Sequence, residues 1–177
     1  MRFLVTGAGG LIGANVALTF DKRGHEVHAL DHFTIGRREN LADFRGNVHQ
    51  GDIRNFNYDS LGRFDGIFHQ AAITDTTVMD ETLMMSVNVE AFVKILDYAK
   101  RSGCPKVVYA SSAATYGKGA PPNRENQVPQ PANIYAVSKV EMEKAARAFT
   151  DAHPVSYTHL HRGYQNSPSV GSPLRPC

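Results

Sequence analysis

The 177-residue chain has no tryptophan, two cysteines and almost no net charge. Cys104 and Cys177 are too few for a disulfide framework or a self-contained zinc cage. The formal charge of +2 equals Arg162 and Arg175 near the C-terminal end, leaving residues 1–153 neutral. No basic stripe marks a face for phosphate backbones, so nucleic acid is not an expected partner. No apolar run approaches the roughly 20 residues that cross a bilayer, so no membrane span is expected either. The first apolar run, Phe3-Leu4-Val5, breaks at once into glycines and does not read as a secretory signal. A cytoplasmic protein is the expectation. With 20% charged and 42% hydrophobic residues, the chain is neither disordered nor collagen-like. It suits one domain with a real core.

Over the first 110 residues, short β-branched runs alternate with longer helical patterns. Arg2–Thr6 reads as a buried strand and Leu11–Arg23 as a helix closed by Gly24. Further strands are expected over Glu26–Asp31, around Asn47–Gln50, over Ile67–Gln70 and over Lys106–Ser111. Met79–Arg101 is the strongest helix, because Leu83, Val87, Ala91, Ile95 and Ala99 recur every fourth residue with Gly103 just beyond. Tyr135–Ala152 is helical again. Such alternation predicts a doubly wound α/β fold, a parallel sheet with helices on both faces. The pattern stops at Pro154. Residues 1–153 are therefore expected to form one domain and 154–177 an irregular tail.

Five places carry chemistry. Gly7, Gly10 and Gly13 follow the first strand and open the first helix. Gly7 permits a sharp turn, Gly10 lets a pyrophosphate approach the backbone, and Gly13 lets the helix pack closely on the sheet. An anion would rest on the free N–H groups at the helix start, around Leu11 and Ile12. Asp31 ends the second strand, where a carboxylate can accept both hydroxyls of a ribose and repel a 2′-phosphate. That favours NAD, although Arg37 and Arg38 keep NADP open. His32 adjoins Asp31. Asp52 and Ile53 follow the third strand, placed to reach an adenine amino group and cover its ring. Gln70, Ala71 and Ala72 follow the fourth, the alanines leaving room for a cofactor chain. His69 reads as a buried, hydrogen-bonded histidine.

The decisive set is Ser111-Ser112 with Tyr135 and Lys139. A spacing of four puts phenol and ammonium on one helix face. A phenol titrates near pH ~10 and is a poor base at neutrality, but a neighbouring cation stabilises its phenolate. Ser112 could hold the same substrate oxygen from the other side, so that a hydroxyl proton leaves as hydride leaves carbon. Met79, Met84 and Met85 read as packing, and Glu141, Glu143, Lys144 and Arg147 as a solvated helix face.

These residues together resemble the extended short-chain dehydrogenase/reductases, in their nucleotide-sugar epimerase/dehydratase branch, over about residues 1–152. The resemblance rests on Thr6–Gly13, Asp31, Gly51–Arg54, His69–Ala72, Asn88-Val89, Ser111–Gly117 and Tyr135–Lys139. It implies that Tyr135 is the general base, that Lys139 lowers its pKa and binds the ribose, and that Ser112 positions the sugar oxygen. Asn88 matches the family's asparagine that faces the cofactor, and Ser111 is implied beside it. A tightly held NAD or NADP, a nucleotide-sugar substrate and a homodimer are implied as well. Ala113-Ala114 stands where 4,6-dehydratases carry an Asp-Glu pair, which disfavours dehydration. The string Ala110–Gly117 is similar to ADP-glycero-manno-heptose 6-epimerases and UDP-sugar 4-epimerases. The implied reaction is transient oxidation followed by hydride return to the opposite face. A net reductase and a nucleotide-sensing module are the alternatives. Because the family continues into a substrate domain, the chain is expected to be an N-terminal fragment whose turnover alone is doubtful.

Overall fold

A computed structural model describes residues 1–118, 122–124, 126–152 and 156–160. Its strands are β1 (Arg2–Thr6), β2 (Glu26–Asp31), β3 (Asn47–Gln50), β4 (Gly66–His69), β5 (Lys106–Ala110) and β6 (Ser156–Leu160). They form one six-stranded sheet in the order β3-β2-β1-β4-β5-β6, every pair parallel. Helix α1 (Leu11–Lys22) joins β1 to β2. Between β4 and β5 run α2 (Glu81–Met85), a π turn (Ser86–Glu90) and α3 (Ala91–Ser102), and α4 (Ile134–Ala152) follows β5. This is the doubly wound parallel sheet that the strand–helix alternation predicts.

Strand alternation divides the core between the two faces of the sheet. Leu4, Leu30, Ile67, Val107 and Tyr109 pack with Phe92, Ile95 and Tyr98 of α3 and Met142 and Ala146 of α4. Their neighbours Val5 and Ala29 turn to the other face and pack with Ala14 and Ala17 of α1. Both faces of the central strands are covered, so those strands read as continuous apolar runs. Among the described residues no helix is long and apolar enough to cross a membrane.

Two expectations change. The long helix starts at Glu81, not Met79, because the Asp80 carboxylate caps it, accepting from Leu83 N–H at 2.9 Å. The π turn then shifts its phase: Met84 is fully buried while Leu83 is 37% exposed and Met79 80%. A strict four-residue repeat cannot register that extra residue. Second, the tail is not irregular throughout. Ser156–Leu160 pairs in parallel with Lys106–Ala110, supplying the further strand that a doubly wound sheet calls for. Its Ser-Tyr-Thr-His-Leu composition lacks the apolar run that marks buried strands. Residues 161–177, expected to be part of the irregular tail, lie outside the described residues.

The chain travels outward from β1 to β2 and β3, then returns to place β4 on the other side of β1. Such a reversal opens a crevice at the carboxyl ends of the two central strands. Thr6 of β1 pairs in register with His69 of β4, so the residues that follow each line that crevice.

Candidate active site

The crevice begins at Gly7, whose φ of +67° lies in the left-handed region. A Cβ at Gly7 would stand 2.6 Å from Ala71 N and 2.7 Å from Gln70 C, so glycine meets both a conformational and a steric demand. Gly13 has the second demand alone. A Cβ there would fall 2.1 Å from Gly7 O, because the first turn of α1 lies directly on the loop. Gly10 caps α1 without a side chain, and its N–H donates to Gly7 O at 3.1 Å. Leu11 and Ile12 are 78% and 58% exposed, so the first turn, with its unpaired N–H groups, faces outward.

Asp31 sits beside this loop and organises it. Its carboxylate accepts from Gly9 N–H at 2.8 Å and from Phe33 N–H at 2.7 Å. The segment after β2 folds back over the loop: Arg37 N–H and the Asn40 amide both donate to Gly9 O, at 2.9 and 2.7 Å. Phe33 adopts φ +58°, and the Arg38 guanidinium lies 4.4 Å from the centre of its ring. Sequence reasoning missed this strap, because only the contacts of Gly9 show it. A carboxylate has about four acceptor sites, so two backbone donors leave room for ribose hydroxyls. His32 is exposed.

Asp52 is held by Arg54 through its backbone N–H at 2.9 Å and its guanidinium at 2.5 Å, which keeps the carboxyl below its ordinary pKa. Ile53 differs from the expectation. At 7% exposure it belongs to the core with Leu30 and Tyr58, and the Tyr58 hydroxyl donates to its carbonyl. Its side chain offers little surface to an adenine ring.

At the end of β4, both amide atoms of the Gln70 side chain are buried and have no hydrogen-bond partner. Such atoms cost stability unless something binds them. Gln70 directly abuts Gly7, and Ala71 and Ala72 follow, half-buried. An unsatisfied amide beside a glycine cradle and an open helix start is what a dinucleotide would complete, so the residues present fit the cofactor. Beneath, His69 Nδ1 and Thr6 Oγ1 share a 2.8 Å hydrogen bond, and the imidazole stacks on Phe92. Burial, with the charge of Lys139, pushes its pKa down to about 3, so it is neutral. The reading of His69 as a buried, bonded histidine matches this environment.

Tyr135 and Lys139 share one face of α4, which Asn133 caps by accepting from Ala136 N–H at 2.8 Å. Tyr135 is half-buried, and Lys139 is 2% exposed with Nζ 5.8 Å from the centre of the phenol ring. Nζ donates to Ala110 O at 3.0 Å and meets Met142 Sδ at 3.5 Å, neither of them anionic. Burial pushes its pKa down to about 8. Ser112 caps a short 3-10 turn, its hydroxyl accepting from Ala114 N–H at 3.2 Å. The end of β5 and one face of α4 thus meet at Lys139.

Two residues sit otherwise than expected. Asn88 lies in the π turn, fully buried, and bonds Ile73, Met84 Sδ and Ser138 Oγ. Its two bonds to Ile73 tie it to the loop that follows β4. Glu143 is not part of a solvated face, since its side chain is 13% exposed and accepts from Ser111 Oγ. Lys144 and Glu141 do form a solvated pair, at 2.7 Å.

Residues 3–163 match the model of the NAD dependent epimerase/dehydratase family. The chain belongs to that family. It is 31% identical over 166 residues to a UDP-glucose 4-epimerase of Corynebacterium glutamicum, covering 90% of this chain and 50% of that protein. Among solved structures, the ADP-L-glycero-D-manno-heptose-6-epimerase of Helicobacter pylori is 35% identical with a TM-score of 0.78, covering 83% of this chain and 50% of that one. A UDP-glucose 4-epimerase of Thermus thermophilus, solved in complex with NAD, is 28% identical with a TM-score of 0.82, covering 91% of this chain and 54% of that one. The chain therefore spans about half the length of these epimerase/dehydratase relatives.

Proposed function

We propose that the protein is an NAD-dependent nucleotide-sugar epimerase of which these residues form the cofactor-binding half. One observation carries the reading. Lys139 is a nearly fully buried ammonium whose hydrogen-bond partners are a carbonyl and a thioether, and it lies beside a phenol. A buried charge without an opposite charge costs several kcal/mol, roughly, so the site favours an anion at Tyr135.

Gly7, Gly10 and Gly13, with the N–H groups around Leu11 and Ile12, would hold the pyrophosphate, Asp31 a ribose, and Gln70 the nicotinamide half. NAD held there would supply a reversible two-electron acceptor for a sugar carbon. The protein's own part is proton handling. Tyr135 takes the proton of a sugar hydroxyl as its phenolate and gives it back, Lys139 stabilises that phenolate, and Ser112 donates to the sugar oxygen. The UDP-sugar and ADP-heptose names of the relatives make a nucleoside diphosphate sugar the proposed substrate.

The test uses the full-length protein with UDP-glucose and ADP-glycero-manno-heptose as probes, products being followed by NMR and cofactor by absorbance. Wild type should interconvert at least one epimer pair without net reduction of NAD. Tyr135→Phe should retain NAD binding and lose turnover at least about 100-fold, the range of a lost acid–base group. Stoichiometric consumption of NADH would instead make the protein a reductase, and an unimpaired Tyr135→Phe would remove the mechanism.

A further inference from the structure

The β5–α4 junction has a feature that the catalytic reading does not use. The β4 ladder ends at His69–Tyr109 and the β6 ladder at Ala110–Leu160, so Ser111 and Ser112 lie beyond both. Side chains of α4 take over there. Lys139 Nζ donates to Ala110 O, and one helical turn later Glu143 accepts from Ser111 Oγ. The next residue is Ser112, whose hydroxyl and carbonyl already accept from Ala114 N–H and the Thr115 hydroxyl. Arg147 Nη2 stands 3.8 Å from the second oxygen of Glu143, but it is largely exposed and adds orientation more than energy. Glu143 thus directs its stronger, charge-assisted bond at the Ser111 hydroxyl, one residue before Ser112.

We infer that Glu143 is a positioning residue that, through Ser111, sets the Ser112 hydroxyl against the Tyr135–Lys139 pair. The inference rests on the reading of Ser112, Tyr135 and Lys139 as the catalytic set. It separates from a second role for Glu143, that of a bare negative charge on α4. Removing a bare charge in any way should have one effect, so glutamine and alanine would then act alike. A positioning residue behaves otherwise. Glutamine still accepts from Ser111 and should change little, whereas alanine frees the segment and loosens the Lys139 anchor at Ala110.

The experiment takes Glu143→Gln, Glu143→Ala, Ser111→Ala and the Glu143→Ala/Ser111→Ala double variant in the full-length protein. Hydrogen exchange of the Ala114 amide, which donates to Ser112 Oγ, is followed by NMR. Glu143→Ala and Ser111→Ala should each speed that exchange about tenfold, while Glu143→Gln leaves it within about twofold. Where the wild-type enzyme turns over UDP-glucose, the same two variants should lower kcat about tenfold at unchanged KM, and the double variant should be no worse than either single one. Equal effects of glutamine and alanine, or additive losses in the double variant, would overturn the inference. Ser111→Ala removes only a hydroxyl and keeps the test open if Glu143→Ala does not fold. The exchange measurement needs no turnover, so a failure of the epimerase reading and a failure of this one are distinguishable.

Discussion

Asn88 brackets Ile73: its side-chain carbonyl accepts from Ile73 N–H at 2.8 Å, and its amide donates to Ile73 O at 3.0 Å. The same amide donates to Ser138 Oγ at 2.9 Å, and Ser138 in turn donates to Tyr135 O at 2.7 Å. One buried side chain therefore joins the loop after β4 to the helix that carries Tyr135 and Lys139. The π turn holds Asn88 between that loop and α4. Such bulges recur at functional sites because an inserted residue re-aims a side chain.

Replacing Asn88 by alanine should destabilise the protein by about 2–3 kcal/mol, since the Ile73 N–H and carbonyl would lose their buried partners together. Urea unfolding should show a lower midpoint at unchanged slope. The Ile73 amide should lose its hydrogen-exchange protection. An unaltered Ile73 exchange rate would mean that the bracket does not hold the loop.

Gly13→Ala and Gly24→Ala separate packing from conformation. A Cβ at Gly13 would meet backbone at 2.1 Å, whereas one at Gly24 meets nothing within 4 Å but inherits a φ of +78°. Gly24→Ala should cost about 1 kcal/mol from backbone strain and leave NAD affinity alone. Gly13→Ala should cost about 2–4 kcal/mol and weaken NAD at least about tenfold, because the loop that would bind the pyrophosphate must move. Calorimetric titration with NAD and thermal unfolding check both. Equal losses of affinity in the two variants would detach Gly13 from the cofactor loop.

The sheet was legible because its central strands are buried on both faces and read as apolar runs, Leu4-Val5 and Ala29-Leu30 among them. The site residues were legible where one residue type is nearly obligatory, as at Gly7, or where a helix repeat aligns two side chains, as at Tyr135 and Lys139. What escaped depends on partners distant in sequence. Glu143 looks solvated until β5 places Ser111 against it, and Asn88 looks cofactor-facing until Ile73 and Ser138 surround it. β6 escaped for a different reason: its composition is polar, and pairing with β5 defines it.

His69 makes the fold acid-sensitive in a defined window. Its pKa is about 3 in the fold, against about 6.5 in an unfolded chain. Between those values the unfolded state binds a proton that the folded state refuses, so stability falls as pH drops through the window. The slope that His69 adds is at most about 1.4 kcal/mol per pH unit. His69→Gln cannot protonate and should show a shallower loss than wild type between pH ~6.5 and ~4 in urea titrations. Parallel curves would place the acid sensitivity in other groups.

Lys139 should act at the other end of the scale, with stability rising as the solution becomes alkaline. Burial lowers its pKa to about 8 in the fold, against about 10.4 when unfolded. Below about pH 8 both states carry the charge, and the fold bears the full cost of burying it. Between about 8 and 10.4 the folded lysine is neutral while the unfolded one still binds its proton, so unfolding takes up a proton and becomes harder as pH rises. The gain over that window is about 3 kcal/mol, opposite in sign to the general loss expected as tyrosines and other lysines titrate. Lys139→Met keeps much of the volume and has no charge to lose. The stability difference, variant minus wild type, should therefore be largest near pH ~7 and shrink steadily towards pH ~10. Bound NAD and an ionised Tyr135 would favour the charged lysine and move the window upward, so the measurement is made on the protein without cofactor. A difference that stays constant with pH would show that Lys139 keeps its ordinary pKa, and with it would go the argument that a strained, buried ammonium draws an anion to Tyr135.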